Sequence, residues 1–431
     1  MRILVLHAGG LGDLVLVETL LSGLRERYPG ARLELLCRAD LAAVPGLYAS
    51  PPDAVHAFSF NPYTWAVPEQ ALEPSAAFVA ALPAGAVDLF VSAELRATWL
   101  SEILAAALAP KDALFGDAST TERSVVRITV HRLGLRLRPL IRRLPPLPGE
   151  HELDRYARLA GVQRRSPQLR PLRRAATEGE RPLVAFPLSS SAFRCWAFAS
   201  LAATCRMVTS ETAHPILLLG SEAERPELER LAAAESAAAA GPISTLAADV
   251  AGLADVIANA WTYLGNDTGL AHLAAAYGVP GVTVYGGGTW PAYAPWAPQS
   301  AGVVTPIPCF GCGWDCAFDH AYCIEGIRIA DVIHAFAEAA AGDAQQGLIF
   351  ADEAYDSRER TVFGEASRVY RAAQADRAAR LRAIIRLRDI LERYAQRSRT
   401  RQLGTTMALD RLTDRLAATA RRLQDRTPTR G

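Results

Sequence analysis

Lysine is almost missing from this chain. Lys111 is the only one among 46 basic residues, so arginine must supply nearly every cation the protein uses. Arginine binds through a planar fork rather than as a point charge, which suits carboxylate and phosphate partners. Net charge is scarce as well: Lys+Arg 46 against Asp+Glu 45 leaves +1, so the composition carries no wholesale affinity for nucleic acid. No stretch of ~18 uninterrupted apolar residues occurs, which excludes a membrane-spanning helix. A complete G-x-G-x-x-G is missing too. The first glycine turn, Gly9-Gly10-Leu11-Gly12-Asp13, has Val15 where the third glycine would stand, and this argues against NAD binding there.

What is present is enough for a globular protein of several units. The chain has 431 residues, 50% of them hydrophobic and 21% charged, so two or three domains of ~150 residues are expected, each with its own core. Charge is unevenly spread. Residues 351–431 hold 19 Arg against 11 acidic residues, net +8, while the preceding 350 hold 27 Lys+Arg against 34 acidic residues, net −7. The apolar N-terminus invites a signal-peptide reading, but Gly9, Gly10, Gly12 and Asp13 interrupt the run and no small-residue cleavage site follows. A cytoplasmic setting is therefore expected, with Cys37, Cys195 and Cys205 as reduced thiols.

The pattern along the chain is α/β. Arg2–Leu6 and Arg32–Cys37 read as strands around a helix from Asp13 to Arg27, a βαβ unit of a parallel sheet. Val87–Val91 reads as a strand and Leu95–Leu108 as a helix. Residues 123–143 are locally basic and fit either a solvated face or an anion-binding surface. Pro171–Glu180 reads as a linker. Leu183–Phe186, Ile216–Leu219, Thr262–Leu264 and Val282–Tyr285 then form a second strand series between alanine-rich helices. Two Rossmann-like lobes facing across a cleft follow, at 1–170 and 171–348. A helical extension over 349–431 carries apolar stripes such as Leu381, Ile384, Leu387 and Leu391.

Two turns could carry chemistry. Asp13 opens a helix after a strand: it reads as a cap, or as a carboxylate at a cleft mouth able to take a proton from a hydroxyl. Gly265-Asn266-Asp267-Thr268-Gly269-Leu270-Ala271-His272 also joins strand to helix. Asp267 and Thr268 supply a cap, Gly269 gives close access to the first-turn N–H groups, and His272 shares the face of Thr268.

Together with the Ser-rich turn near Arg194-Cys195-Trp196 and Gly220-Ser221-Glu222-Ala223-Glu224, these motifs resemble glycosyltransferase family 9 over roughly residues 1–345. Its best-known members are the ADP-heptose-dependent heptosyltransferases of lipopolysaccharide assembly. The resemblance implies a GT-B fold and inverting transfer from a nucleotide sugar, ADP-heptose or a relative, to a glycan or glycolipid acceptor, with no metal or other cofactor required. It implies Asp13 as general base. It places Ser189, Ser190, Arg194, Glu224, Asp267, Thr268, Gly269 and His272 on the donor, and His7, Gly10 and Gly12 on the acceptor side. Arg194 stands where most relatives have lysine, and His7 where the lipopolysaccharide enzymes have a cation.

Cys309, Cys312, Cys316 and Cys323, with His320 among them, fit a structural zinc or iron site better than two disulfides. The Cys309–Trp314 stretch is similar to the iron-binding finger of autotransporter heptosyltransferases. Other readings are a GT-B-like scaffold without turnover and a sugar-nucleotide epimerase of the same fold. For the extension, self-association and docking on the inner membrane face both remain open.

Overall fold

The computed structural model describes residues 1–62, 69–95, 98–117, 141–147, 150–172, 181–210, 212, 214–238, 243–286, 288, 291–304, 321–341 and 348–350. Cys309, Cys312, Cys316, His320, most of the basic stretch, residues 173–180 of the expected linker and the extension beyond 350 lie outside the described residues.

The first lobe runs β1 (Arg2–Leu6), α1 (Leu11–Arg27), β2 (Arg32–Arg38), β3 (Ala54–Phe58), α2 (Glu69–Ala81), β4 (Leu89–Ser92), α3 (Trp99–Leu108), β5 (Asp112–Phe115), β6 (Arg142–Arg143) and α4 (Glu152–Ala160). Its strands pair in parallel in the order β3-β2-β1-β4-β5-β6. The second lobe runs β7 (Leu183–Phe186), α5 (Phe198–Thr209), β8 (Ile216–Gly220), α6 (Arg225–Ala238), β9 (Ile243–Ala247), α7 (Val250–Ala258), β10 (Thr262–Asn266), α8 (Gly269–Ala276), β11 (Gly281–Tyr285), β12 (Ser300–Val304), α9 (Tyr322–Glu325), α10 (Ile329–Ala341) and β13 (Leu348–Phe350). Here the order is β13-β12-β11-β10-β7-β8-β9, again parallel. The last strand ends two residues past the expected lobe limit. Arg142 and Arg143, the described end of the basic stretch, pair internally with Asp112, Asp117 and Glu102.

Alternation within buried strands builds a core on each face of each sheet. Ile3 and Val5 join the cluster under α1 and α4, whereas Leu4 and Leu6 join Trp99, Ile103 and Leu104 of α3. In the second lobe Leu183 and Ala185 face α5 and α10, and Val184 and Phe186 face α7 and α8. Burial of each Leu, Ile, Val or Phe among them contributes ~1.5–3 kcal/mol. The interrupted apolar N-terminus therefore lies at the heart of the first lobe. α1 is buried around nearly all its circumference because it packs against α4 on one side and α8 of the other lobe on the other.

That last contact joins the lobes. Val15 and Leu47 of the first lobe belong to one apolar cluster with Leu253, Leu270 and Leu273 of the second. In both sheets the order reverses beside the first strand of the lobe. Such a switch point leaves a crevice at the carboxyl ends of the strands, where ligands of open α/β sheets bind. The turns after β1, β7 and β10 all open there.

Candidate active site

The turn after β1 is tied down internally. Four successive N–H groups are used: His7 N–H donates to the Leu36 carbonyl (2.9 Å), and Ala8 N–H to Glu94 Oε1 (2.7 Å). Gly9 N–H donates to His7 Nδ1 (2.9 Å) and Gly10 N–H to Asp13 Oδ2 (2.6 Å). These four N–H groups thus end on the protein's own acceptors, two of them carboxylates.

Gly10 is the N-cap of α1, so Asp13 stands in its first turn rather than at the cap. Its carboxyl accepts from the Gly10 N–H and lies at the crevice. Burial pushes it up to about 6; the Gly10 N–H opposes this, the charge of Glu152 adds to it, Arg194 opposes it and Asp267 adds to it.

Across the junction, Asn266 at the end of β10 is fully buried and staples the loop after β7. Its Nδ2 donates to the Pro187 carbonyl (2.7 Å) and its Oδ1 accepts from Trp196 N–H (2.9 Å). Trp196 also donates its indole N–H to the Ile327 carbonyl (3.1 Å), which fixes the short turn Ala192–Arg194. Ser189 Oγ donates to the Asp267 carbonyl (3.1 Å), and Ser190 is exposed beside it. Arg194 is thereby held where its charge acts on both Asp13 and Asp267.

Thr268 alone caps α8, accepting from Leu270 N–H (3.2 Å). Asp267 is left out of the cap: it is 5% exposed and its Oδ2 has no partner among the described residues. Burial raises its carboxyl to about 6, while Arg194 and the Tyr285 hydroxyl pull it down. Gly269 does not open onto a ligand, because a side-chain carbon there would lie 2.5 Å from Leu11 Cβ and 2.8 Å from Gly12 N. What approaches the start of α8 is the start of α1. His272 lies over Gly12; burial, then the charge of His151, lowers its ring to about 3, against a bond to the Tyr293 carbonyl.

Glu224 is partly committed, since its Oε2 accepts from Ser221 N–H and Ser221 Oγ, both at 2.7 Å. It remains close enough to act on Cys195, next to Arg194. Of the cysteine cluster only Cys323 is described, half-buried against the second core. Among the described residues no group of three His, Cys, Asp or Glu could hold a metal ion, and no helix is long and apolar enough to cross a membrane.

Several residues of the site carry no sequence signal. Arg155 is 0% exposed; it pairs with Glu152 and donates to the carbonyls of Ala93 (2.6 Å), Gly116 (3.0 Å) and Glu94 (3.3 Å). It thereby fixes the ends of β4 and β5 beneath the Asp13 turn. Segment 291–296 of the second lobe crosses onto the start of α4: Glu152 N–H donates to the Ala292 carbonyl (2.9 Å), and His151 Nε2 contacts the Ala294 carbonyl (2.8 Å). The Arg164 guanidinium lies over the Trp296 ring, which also meets the His151 ring at 5.1 Å. Tyr293, whose carbonyl also accepts from the Tyr285 hydroxyl (2.7 Å), stands within electrostatic range of Asp13 and Glu152.

Comparison with known proteins bears on the fold and on the second half of the site. Residues 152–314 match the model of glycosyltransferase family 9 (heptosyltransferase), so the Asp13 turn lies outside the matched stretch. No curated protein matches. Among solved structures, E. coli heptosyltransferase WaaC with ADP is 18% identical, with a TM-score of 0.56 over 79% of this chain and 100% of that one. E. coli ADP-heptose lps heptosyltransferase II is 17% identical, with a TM-score of 0.57 over 80% of this chain and 100% of that one. A family 9 glycosyl transferase from Veillonella parvula DSM 2008 is 15% identical, with a TM-score of 0.54 over 70% and 85%. The two parallel α/β lobes thus have the GT-B fold of these enzymes, and residues 152–314 are similar to glycosyltransferase family 9 (heptosyltransferase).

Proposed function

We propose that the protein transfers a heptose or related sugar, with inversion, from a nucleotide diphosphate donor to a hydroxyl of a surface-glycan acceptor. ADP-heptose is the donor favoured by the likeness to enzymes described with ADP. One observation carries the reading: the charge of Arg194 acts on Asp13 of the first lobe and on Asp267 of the second, across the junction where the starts of α1 and α8 abut.

Asp13, poised near neutral pH, takes the acceptor proton as the hydroxyl oxygen attacks the anomeric carbon from the face away from the diphosphate. The bond from that carbon to the phosphate oxygen breaks through an oxocarbenium-like state, and its electron pair leaves on the nucleotide diphosphate. Arg194 meets the growing charge with a forked contact, the hydroxyls of Ser189 and Ser190 lie beside it, and Glu224 faces the nucleoside end. His272, neutral and over Gly12, holds the two lobes in register.

Purified protein incubated with ADP-heptose and acceptor glycan should release ADP only when acceptor is present. ADP release that ignores the acceptor, or product formed without it, would exclude this reading.

A further inference from the structure

We infer that the acceptor residue whose hydroxyl meets Asp13 is itself uncharged: a neutral sugar rather than a sugar acid or phosphorylated sugar. The inference rests on the transferase reading above and concerns the same site.

The first ground is the backbone of the Asp13 turn. The N–H groups from His7 to Gly10 end on Leu36, Glu94, His7 and Asp13, so none of these four remains for a carboxylate or phosphate. The second is His7, 2% exposed. Its Nδ1 accepts from Gly9 N–H, which a doubly protonated ring could not do, so the ring is neutral and its proton is on Nε2. The third is Arg155, the cation beside His7, whose charge is matched by Glu152 and whose other N–H groups end on carbonyls.

What these groups leave over is uncharged. His7 Nε2–H and the Tyr156 hydroxyl are buried without partners among the described residues, their rings meeting edge-on at 6.4 Å. Both belong to the Asp13 site: His7 Cε1 and Asp13 Oδ2 each lie 2.5 Å from where a Gly9 side chain would begin, and Tyr156 feels the charge of Asp13. Unpartnered donors in a buried place are costly, and a hydroxyl-bearing ligand offers them acceptors without bringing a charge. A second anion here would instead face Asp13 and Glu152, a like-charge arrangement that interfaces use to reject wrong partners.

The test uses the full chain with ADP-heptose and paired acceptors: methyl glycosides of neutral hexoses and heptoses, each with its uronic acid and its 6-phosphate. We expect kcat/KM at least about tenfold higher for the neutral member of each reactive pair. A charged member that reacts as well as its neutral partner overturns the inference. Tyr156→Phe separates binding from packing: removal of an unpartnered hydroxyl should raise the acceptor KM several-fold without lowering Tm, and an unchanged KM counts against the site. ADP release with none of these acceptors and none with whole cell-envelope glycan, from protein that still binds ADP by calorimetry, tells against the transferase reading itself, and the inference falls with it.

Discussion

Gly12 of the first lobe and His272 of the second touch at the lobe junction, so closely that a side-chain carbon on Gly12 would lie 2.5 Å from His272 Cδ2. A reciprocal contact joins Gly269 to Leu11, and the two helix starts abut with Asp13 and Asp267 alongside. Gly12→Ala should therefore push the lobes apart, costing ~1–3 kcal/mol as overpacking does and lowering kcat/KM about tenfold. Trimming the ring in Gly12→Ala/His272→Ala should recover much of the lost Tm. Gly269→Ala meets the backbone of Gly12 at 2.8 Å and should not be relieved by any side-chain trimming. Differential scanning calorimetry of the three variants checks this.

Asp13→Asn should cut transfer by about 100- to 10,000-fold, the usual worth of a general base. The same change should not lower Tm at pH 8. Folding raises the Asp13 carboxyl from 3.8 to about 6, so the folded state binds more protons and stability falls as pH rises through that window. Above it the buried charge is a cost, which Asn removes while its Oδ1 still accepts from Gly10 N–H. A lowered Tm with unchanged kcat would contradict both parts.

The acid limb of kcat/KM should rise through about pH 6, as the base must be ionised. Its neighbours move it in opposite directions. Asp267→Asn removes a charge that raises Asp13, so the limb should shift to lower pH; Arg194→Ala removes one that lowers it, so the limb should shift upward. Pre-steady-state pH profiles at saturating donor read the two shifts.

Arg194→Ala should also weaken ADP about 10- to 100-fold by calorimetry, the worth of a charge-assisted contact of ~1.5–3 kcal/mol. An unchanged dissociation constant would remove Arg194 from the diphosphate.

Glu152→Ala leaves the Arg155 guanidinium buried with carbonyls alone, and breaking such a pair costs ~3–5 kcal/mol. Chemical denaturation should show that loss. A drop below about 1 kcal/mol would mean that the carbonyls of Ala93, Glu94 and Gly116 suffice.

Much of this was legible in the chain because burial writes itself into parallel strands. Ile3–Leu6 and Leu183–Phe186 are continuous apolar runs, buried on both faces, and the limits read for the two strands, Arg2–Leu6 and Leu183–Phe186, match the structure. β3 sits at an edge with its side chains alternately exposed, and β12 is Ser-Ala-Gly-Val-Val, small residues that carry little strand signal; neither was visible. Asp13, Arg194 and Asp267 were legible because local motifs place them on turns between strand and helix. Glu152, Arg155, Tyr156 and Tyr293 were not, since their relation to Asp13 depends on α4 and segment 291–296 meeting in space. Asn266 stood inside the motif, yet only its two bonds to the loop after β7 reveal what it does.

The apolar seam of Val15 and Leu47 with Leu253, Leu270 and Leu273 bears on how the protein can be taken apart. Each lobe completes the other's interior, so neither is a self-sufficient unit: expressed alone, either half would present a greasy face to solvent and clump. Heating the intact chain should melt both halves in one cooperative step. For the same reason, opening during turnover should be a small sliding or hinge movement about this shared interior rather than a wide separation.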